Sequence, residues 1–225
     1  SWIMEMLMLG IGVGFDVLGA GMHVPGSQTD TYCKWVIPDT REGWCESVKL
    51  LINSYLKHSP LPIFDYKKIR PAGEPITGFG GVASGSESLV ILHKEIITTL
   101  DRVVGGKLTS REITDICNMI GKCVISGNVR RSALVGLAPP SDSIFPDLKN
   151  YNMYPERSAY GWTSNNSIFA EIGQKYDKFL ERTWRNGEPG YVWMQNVRQY
   201  ARMNGHIDTR DEGAMGGNPC LLGST

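Results

Sequence analysis

Residues 108–137 read LTSREITDICNMIGKCVISGNVRRSALVGL, and this stretch decides the fold class. Thr109 followed by Glu112 is a capping-box pattern that starts a helix. Ile113, Ile116, Cys117 and Ile120 then recur at helical spacing and are expected to face a core. Val124 and Ile125 lead into a Gly127 to Ser132 loop, and Ala133 to Leu137 reads as a short apolar strand. Helices alternating with short apolar strands indicate an α/β fold.

The same alternation extends outward on both sides. Residues 1–9 read as the end of a buried helix. Glycines 10, 12 and 14 follow, with an exit loop at Gly19-Ala20-Gly21. Residues 22–40, with Pro25, Gly26 and Pro38, look loop-like. From Arg41 to Lys57 the positions Trp44, Val48, Leu51, Ile52 and Tyr55 predict a helix that Pro60 and Pro62 end. Residues 63–76 look extended. Leu89, Leu92, Ile96, Leu100 and Val103 predict a helix from Glu87 to Val103, stopped by Gly105-Gly106. Downstream, residues 138–158 form a polar connection and Ser158 to Phe169 a strand entering the core. Tyr176 to Arg185 reads as a helix closed by Asn186-Gly187, and Tyr191 to Met194 as a buried strand. The remainder, to Cys220, looks irregular.

Composition narrows the class. The chain has 225 residues, 41% hydrophobic and 20% charged, which suits a soluble globular protein. Its 23 basic and 23 acidic side chains balance, which argues against a general nucleic-acid binder. The apolar start, Trp2 to Phe15, is too short to span a bilayer. The five cysteines, at 33, 45, 117, 123 and 220, include no C-x-x-C pair, so reduced thiols in the cytoplasm are expected. Cys117 and Cys123 sit about 120° apart on a helix, poorly placed for one metal, and Cys117 reads as a core residue. The four histidines are scattered, no metal site is expected, and His93 reads as solvated. The chain begins without Met inside an apolar pattern and reads as a fragment of a larger protein.

Four segments carry candidate chemistry. Gly10 to Asp16 is either a close-packed strand where side chains would clash or a backbone that approaches a substrate. Gly78 to Gly85, with Gly80, Gly81 and Ser84 as candidate substrate contacts, precedes a helix N-terminus that suits an anion, or is a plain turn. Gly127, Asn128, Arg130, Arg131 and Ser132 form a loop whose arginines either meet a phosphate or base edge or face solvent. In Asn218-Pro219-Cys220 the proline fixes the backbone before the sulfur and Asn218 offers an amide to a substrate hydroxyl. Taken alone, Cys220 also reads as an ordinary buried thiol.

These segments, with Asn186-Gly187-Glu188-Pro189-Gly190, occur in an order that resembles the catalytic subunit of ribonucleotide reductases. The likeness is to the adenosylcobalamin-dependent, monomeric triphosphate type. The resemblance implies part of a ten-stranded α/β barrel. It divides the chain into a barrel segment at 1–21, an insertion with helical content at 22–72, a catalytic barrel segment at 73–219, and residues 220–225. The implied reaction replaces the ribose 2′-hydroxyl with hydrogen in a ribonucleoside triphosphate. Adenosylcobalamin is the implied cofactor, and thioredoxin or a similar dithiol the reductant. A deoxynucleotide effector is implied to act through Gly127 to Ser132, with Arg130 as the contact.

Cys220 matches the thiyl position and Asn218 the asparagine that holds the ribose. The family's glutamate two residues after that cysteine is replaced here by Leu222, and neither reducing cysteine matches a position in this chain. The fragment alone is therefore expected to be inactive. Cys220 to Thr225 also resembles the start of an intein, in which Cys220 would instead be the splicing nucleophile. Two other readings stand beside this one: a catalytically silent nucleotide-binding module, and a reductase of the tyrosyl-radical class. A resumed Cys-x-Glu downstream would exclude the first, and the 22–72 insertion argues against the second.

Overall fold

A computed structural model describes residues 1–76, 81–126, 133–200, 206–207 and 210–219. Four strands, β1 (Val13–Asp16), β4 (Leu134–Ala138), β5 (Ser164–Ala170) and β6 (Gly190–Trp193), form one sheet in the order β1-β4-β5-β6. Every pairing is parallel. The helices are α1 (Trp2–Met8), α2 (Arg41–Leu56), α3 (Glu87–Asp101), α4 (Ser110–Ile125), α5 (Asp177–Asn186) and α6 (Met194–Tyr200). An α/β arrangement is what the alternation of helix and strand patterns predicted.

The register sorts the side chains onto two faces. Val13 pairs with Leu134 and Leu134 with Ser164, so these positions share a face, and Phe15, Gly136 and Asn166 share it two residues on. That face carries the buried residues Val13, Phe15, Leu134, Ser164, Asn166 and Ile168. Gly14 and Asp16, Val135 and Leu137, Asn165 and Ser167 point the other way, because successive strand residues alternate.

The second sheet pairs β2 (Gln28–Val36) with β3 (Pro60–Asp65), in parallel, across the crossover helix α2. This corrects the loop expected over residues 22–40. Thr31, Tyr32, Trp35 and Val36 are strand-favouring residues, and their signal was masked by the flanking Pro25, Gly26 and Pro38. Pro60 and Pro62 do more than end α2: they lie inside β3, which prolines tolerate where a strand has a free edge. Two further corrections concern the downstream half. Short 3-10 turns at Phe145–Asp147, Pro155–Ala159 and Gly161–Thr163 occupy the polar connection and the approach to β5. Residues 194–200 form α6, where irregular chain was expected, and Arg198 ties it down by donating to the Ala214 carbonyl at 2.9 Å.

Helix α4 is the hub of the core. The Thr109/Glu112 capping box is present as predicted. Ile116, Cys117 and Ile120 are buried as expected, but so are Thr114, Asp115 and Asn118 on the opposite side. The polar side is covered because Arg157, itself wholly buried, lies against it. Arg157 Nε donates to Asp115 Oδ1 at 2.6 Å and Nη2 donates to Asn118 Oδ1 at 3.2 Å. Asn118 Nδ2 in turn donates to Thr163 Oγ1 at 3.0 Å. Burial pushes the Asp115 carboxyl up, and the Arg157 and Arg111 guanidiniums pull it back. Burial also raises the thiols of Cys117 and Cys123 to about 12, so both are inert core groups at neutral pH.

His93 is buried, which overturns the solvated position expected for it. It lies on α3 with its ring stacked on Phe64, the centroids 4.3 Å apart. Its partners define one neutral tautomer. The Ser47 hydroxyl donates to the Trp44 carbonyl at 2.7 Å, so Ser47 Oγ accepts from His93 Nε2–H at 3.0 Å. Nδ1 then accepts from the Tyr66 hydroxyl at 2.8 Å. Burial lowers the His93 pKa from 6.5 to about 4. Between those values the unfolded chain binds a proton that the folded chain does not. Stability is therefore full above pH 6.5 and is lost as pH falls toward 4, by up to about 3 kcal/mol. Urea unfolding between pH 7 and pH 4.5 is expected to show this slope, and His93→Gln, which cannot titrate, to flatten it. An unchanged slope in the variant would assign the acid sensitivity elsewhere.

Candidate functional site

The site runs along β1, over the face of the parallel sheet that carries Gly14 and Asp16. Gly14 is the critical residue. A Cβ built there would overlap the Gly217 carbonyl oxygen and lie 3.1 Å from the Gly217 carbonyl carbon. The glycine lets the backbone of the Met215 to Asn218 loop lie directly on the strand. The next contact fixes the same loop against β4: a Cβ at Gly216 would meet Leu137 Cδ1 at 2.7 Å. Leu137 is buried on the open face of the sheet, with this loop packed against it. Of the two readings of Gly10 to Asp16, close packing is thus what Gly14 requires, and the packed partner is the loop that leads to Cys220.

Beside that contact lies a cavity of about 400 Å³, bounded by Gly12 to Asp16, Leu137 and Met215 to Asn218. Trp2, Met6, Ile11 and Met215 give it apolar walls, and Asp16 and Asn218 give it polar groups. Asp16 Oδ1 accepts the Leu18 N–H at 2.9 Å, which fixes the carboxyl at the strand end. The sequence quoted Asp16 only as the last letter of a glycine motif. Its alternation with Gly14 was the available signal that the two face the same way.

The other predicted residues divide. Gly81 and Ser84 belong to a different region, at the N-terminal end of α3. Gly81 has φ +85° and accepts the Ile76 N–H at 3.0 Å in a turn closed by an antiparallel bridge between Pro75 and Val82. Ser84 lines an open cleft of about 740 Å³ with Arg70 and Ser86, and a smaller apolar one of about 230 Å³ with Arg41, Trp44 and Val124. Arg70 is held there by Asp39, Nε to Oδ2 at 2.6 Å, and donates to the Pro75 carbonyl at 3.3 Å. Ser86, the N-cap of α3, makes no side-chain capping bond. Neither Gly81 nor Ser84 lines the cavity that holds Asn218. Sequence reasoning missed Arg70 and Asp39, which are separated by 31 residues and meet only in the fold. Gly80, Gly127, Asn128, Arg130, Arg131, Ser132 and Cys220 lie outside the described residues.

Among the described residues no group of His, Cys, Asp or Glu is placed to hold a metal ion. Among the same residues no helix is long and apolar enough to cross a membrane.

Comparison with known proteins gives this geometry a family. Residues 19–100 match the model of the insertion domain of B12-dependent ribonucleotide reductases. A crystal structure of a B12-dependent, class II ribonucleotide reductase superposes on 97% of the chain with a TM-score of 0.78 and 27% identity, covering 35% of that structure. The sheet, the loop and the matched insertion together define a segment of a ribonucleotide reductase. The chain belongs to the adenosylcobalamin-dependent, class II family of these proteins.

A probable adenosylcobalamin-dependent ribonucleoside-triphosphate reductase from Dictyostelium discoideum is 44% identical over 98% of the chain. The adenosylcobalamin-dependent ribonucleoside-triphosphate reductase of Euglena gracilis is 46% identical over the same share. That of Lactobacillus helveticus is 37% identical over 86% of the chain. The chain spans 31%, 30% and 27% of these three relatives.

Proposed function

We propose that the protein of which this chain is a segment reduces ribonucleoside triphosphates to 2′-deoxyribonucleotides. In that reaction the 2′-hydroxyl leaves as water, and two thiols supply the electrons and close to a disulfide. The observation that carries the reading is the Gly14–Gly217 contact, which sets the Met215 to Asn218 loop on the open face of a parallel sheet. Close relatives along nearly the whole chain support it. On this reading Asn218 holds a ribose hydroxyl, and Cys220, or the cysteine that replaces it after splicing, removes the 3′-hydrogen as a thiyl radical.

Adenosylcobalamin supplies that radical when bound. The 400 Å³ cavity beside Asn218 is too small for a corrin ring. That cavity is therefore not the cofactor's seat, and the work of the residues around it is to seat the loop, orient the ribose and exclude water.

The finer parts of the reading rest on resemblance. Residues 22–72 form the insertion region, Gly80, Gly81 and Ser84 contact the substrate away from the ribose held at Asn218, and Gly127 to Ser132 with Arg130 relay a deoxynucleotide effector. The parent works as a cytoplasmic monomer, is recycled by thioredoxin or a similar dithiol, and binds neither membrane nor nucleic acid. Cys220 to Thr225 begins an intein, so the mature parent has a mass lacking the insert. A mature product that keeps Leu221-Leu222-Gly223 after Cys220 and still reduces nucleotides would make Cys220 the thiyl residue.

The test is turnover of the full-length parent with a dithiol, with and without adenosylcobalamin. Activity is expected only with the cofactor, and activity that needs a separate iron subunit would contradict the proposal. In the same assay Arg130→Ala is expected to blunt the effect of added deoxynucleotides on substrate choice more than it lowers basal turnover. An unchanged effector response would remove Arg130 from that role.

A further inference from the structure

We infer that Asp16 is a substrate-contacting residue whose carboxylate accepts hydrogen bonds from ribose hydroxyls beside Asn218. This rests on reading the loop cavity as the substrate site. Asp16 is the last residue of β1 and shares its open face with Gly14, the residue on which the loop is seated. It lines the same cavity as Asn218. Oδ1 is taken by the Leu18 N–H at 2.9 Å. Among the described residues no hydrogen bond or ion pair engages Oδ2. Among the described residues the carboxylate is thus held at one oxygen and open at the other.

The charge decides which end of a nucleotide such a group can face. A carboxylate repels a triphosphate, so the phosphates are expected to lie away from it. A ribose offers neutral O–H donors, and a carboxylate is acceptor-only when ionised. The apolar walls of Trp2, Met6 and Met215 leave flat surface for a base. A volume of about 400 Å³ suits a nucleoside portion and lies within the range of small-molecule sites.

The rival role for Asp16 is purely local. Its bond to the Leu18 N–H is a side-chain turn that closes the strand end. Asp16→Asn separates the two roles, because the amide oxygen still accepts from Leu18 while the charge is gone. Asp16→Ser is a second variant of the same kind, since serine also forms such turns.

The experiment uses the full-length parent with a deoxynucleotide effector held saturating. Equilibrium binding is measured for a ribonucleoside triphosphate and for its 2′,3′-dideoxy analogue. Asp16→Asn and Asp16→Ser are expected to weaken the ribonucleotide about tenfold to a hundredfold, the scale of a hydrogen bond to a charged group. The dideoxy analogue, lacking both hydroxyls, is expected to bind the variants and the wild type alike. Unchanged binding of both ligands would leave Asp16 as a turn residue and overturn the inference. Equal loss for both would overturn it too, by showing that Asp16 acts on the loop, and so would a loss seen only with magnesium present. Wild-type protein that binds no ribonucleoside triphosphate would instead remove the substrate reading on which the inference rests.

Discussion

Gly14→Val in the full-length parent is expected to lower turnover by about a hundredfold or more, the scale on which a misplacement near 1 Å acts. The β-carbon of any residue other than glycine would overlap the Gly217 carbonyl, and that obstacle is backbone. It cannot swing aside as a side-chain tip could. The loop must lift, and Asn218, one residue further on, lifts with it. The strand itself has room to persist, because its pairing with β4 runs through backbone groups and the buried Val13 and Phe15 point to the other face. Gly213→Ala is the matched control in the same loop, since a Cβ there meets nothing within 4 Å. Turnover and the thermal midpoint of both variants check the claim. A Gly14→Val protein with normal turnover would show that the loop does not depend on this contact.

The second large effect is on stability. Arg157→Ala is expected to cost about 3–5 kcal/mol, because it leaves the buried Asp115 carboxylate with only the longer contact to Arg111, at 3.6 Å, to offset its charge. Both side chains are wholly buried and joined at 2.6 Å. Asn118 and, through it, Thr163 lose their anchor in the same step. Replacing both charges, as Arg157→Met with Asp115→Leu, is expected to recover much of the loss, since apolar pairs often substitute for buried ion pairs without penalty. Urea unfolding of the single and double variants gives the comparison. A single variant that loses less than about 1 kcal/mol would mean that Arg111 or entering water offsets the Asp115 charge without Arg157.

The local signals in the chain were strong where one residue type determines one geometry. The Thr109/Glu112 capping box, the helical spacing of Leu89, Leu92, Ile96 and Leu100, and the Asn186-Gly187 stop, where Gly187 adopts φ +76°, all appear in the structure. The signals failed where a distant partner decides. β2 is a strand because β3 lies beside it, and nothing in residues 22–40 announces that partner. His93 is buried because Tyr66 and Ser47, 27 and 46 residues away, satisfy both ring nitrogens. Asp115 and Asn118 look solvent-facing on a helical projection until Arg157 covers them.

The candidate site divides in the same way. The glycines of Gly10 to Asp16 were legible as a close approach, but what approaches them was not, because Gly217 is some two hundred residues further along the chain. Asp16 was invisible as a site residue, since an aspartate ending a strand carries no sequence mark of its own. Its position follows only from the two-residue period that puts it over the same face as Gly14.

The central claim is that the cavity between β1 and the Met215 to Asn218 loop receives the substrate. An experimental structure of the full-length parent with a ribonucleoside triphosphate bound tests it most directly. The account predicts a ribose within hydrogen-bonding distance of Asn218 and Asp16, with its phosphates directed away from Asp16. A nucleotide bound only elsewhere, with the loop still packed on Gly14 and the cavity empty, would contradict it.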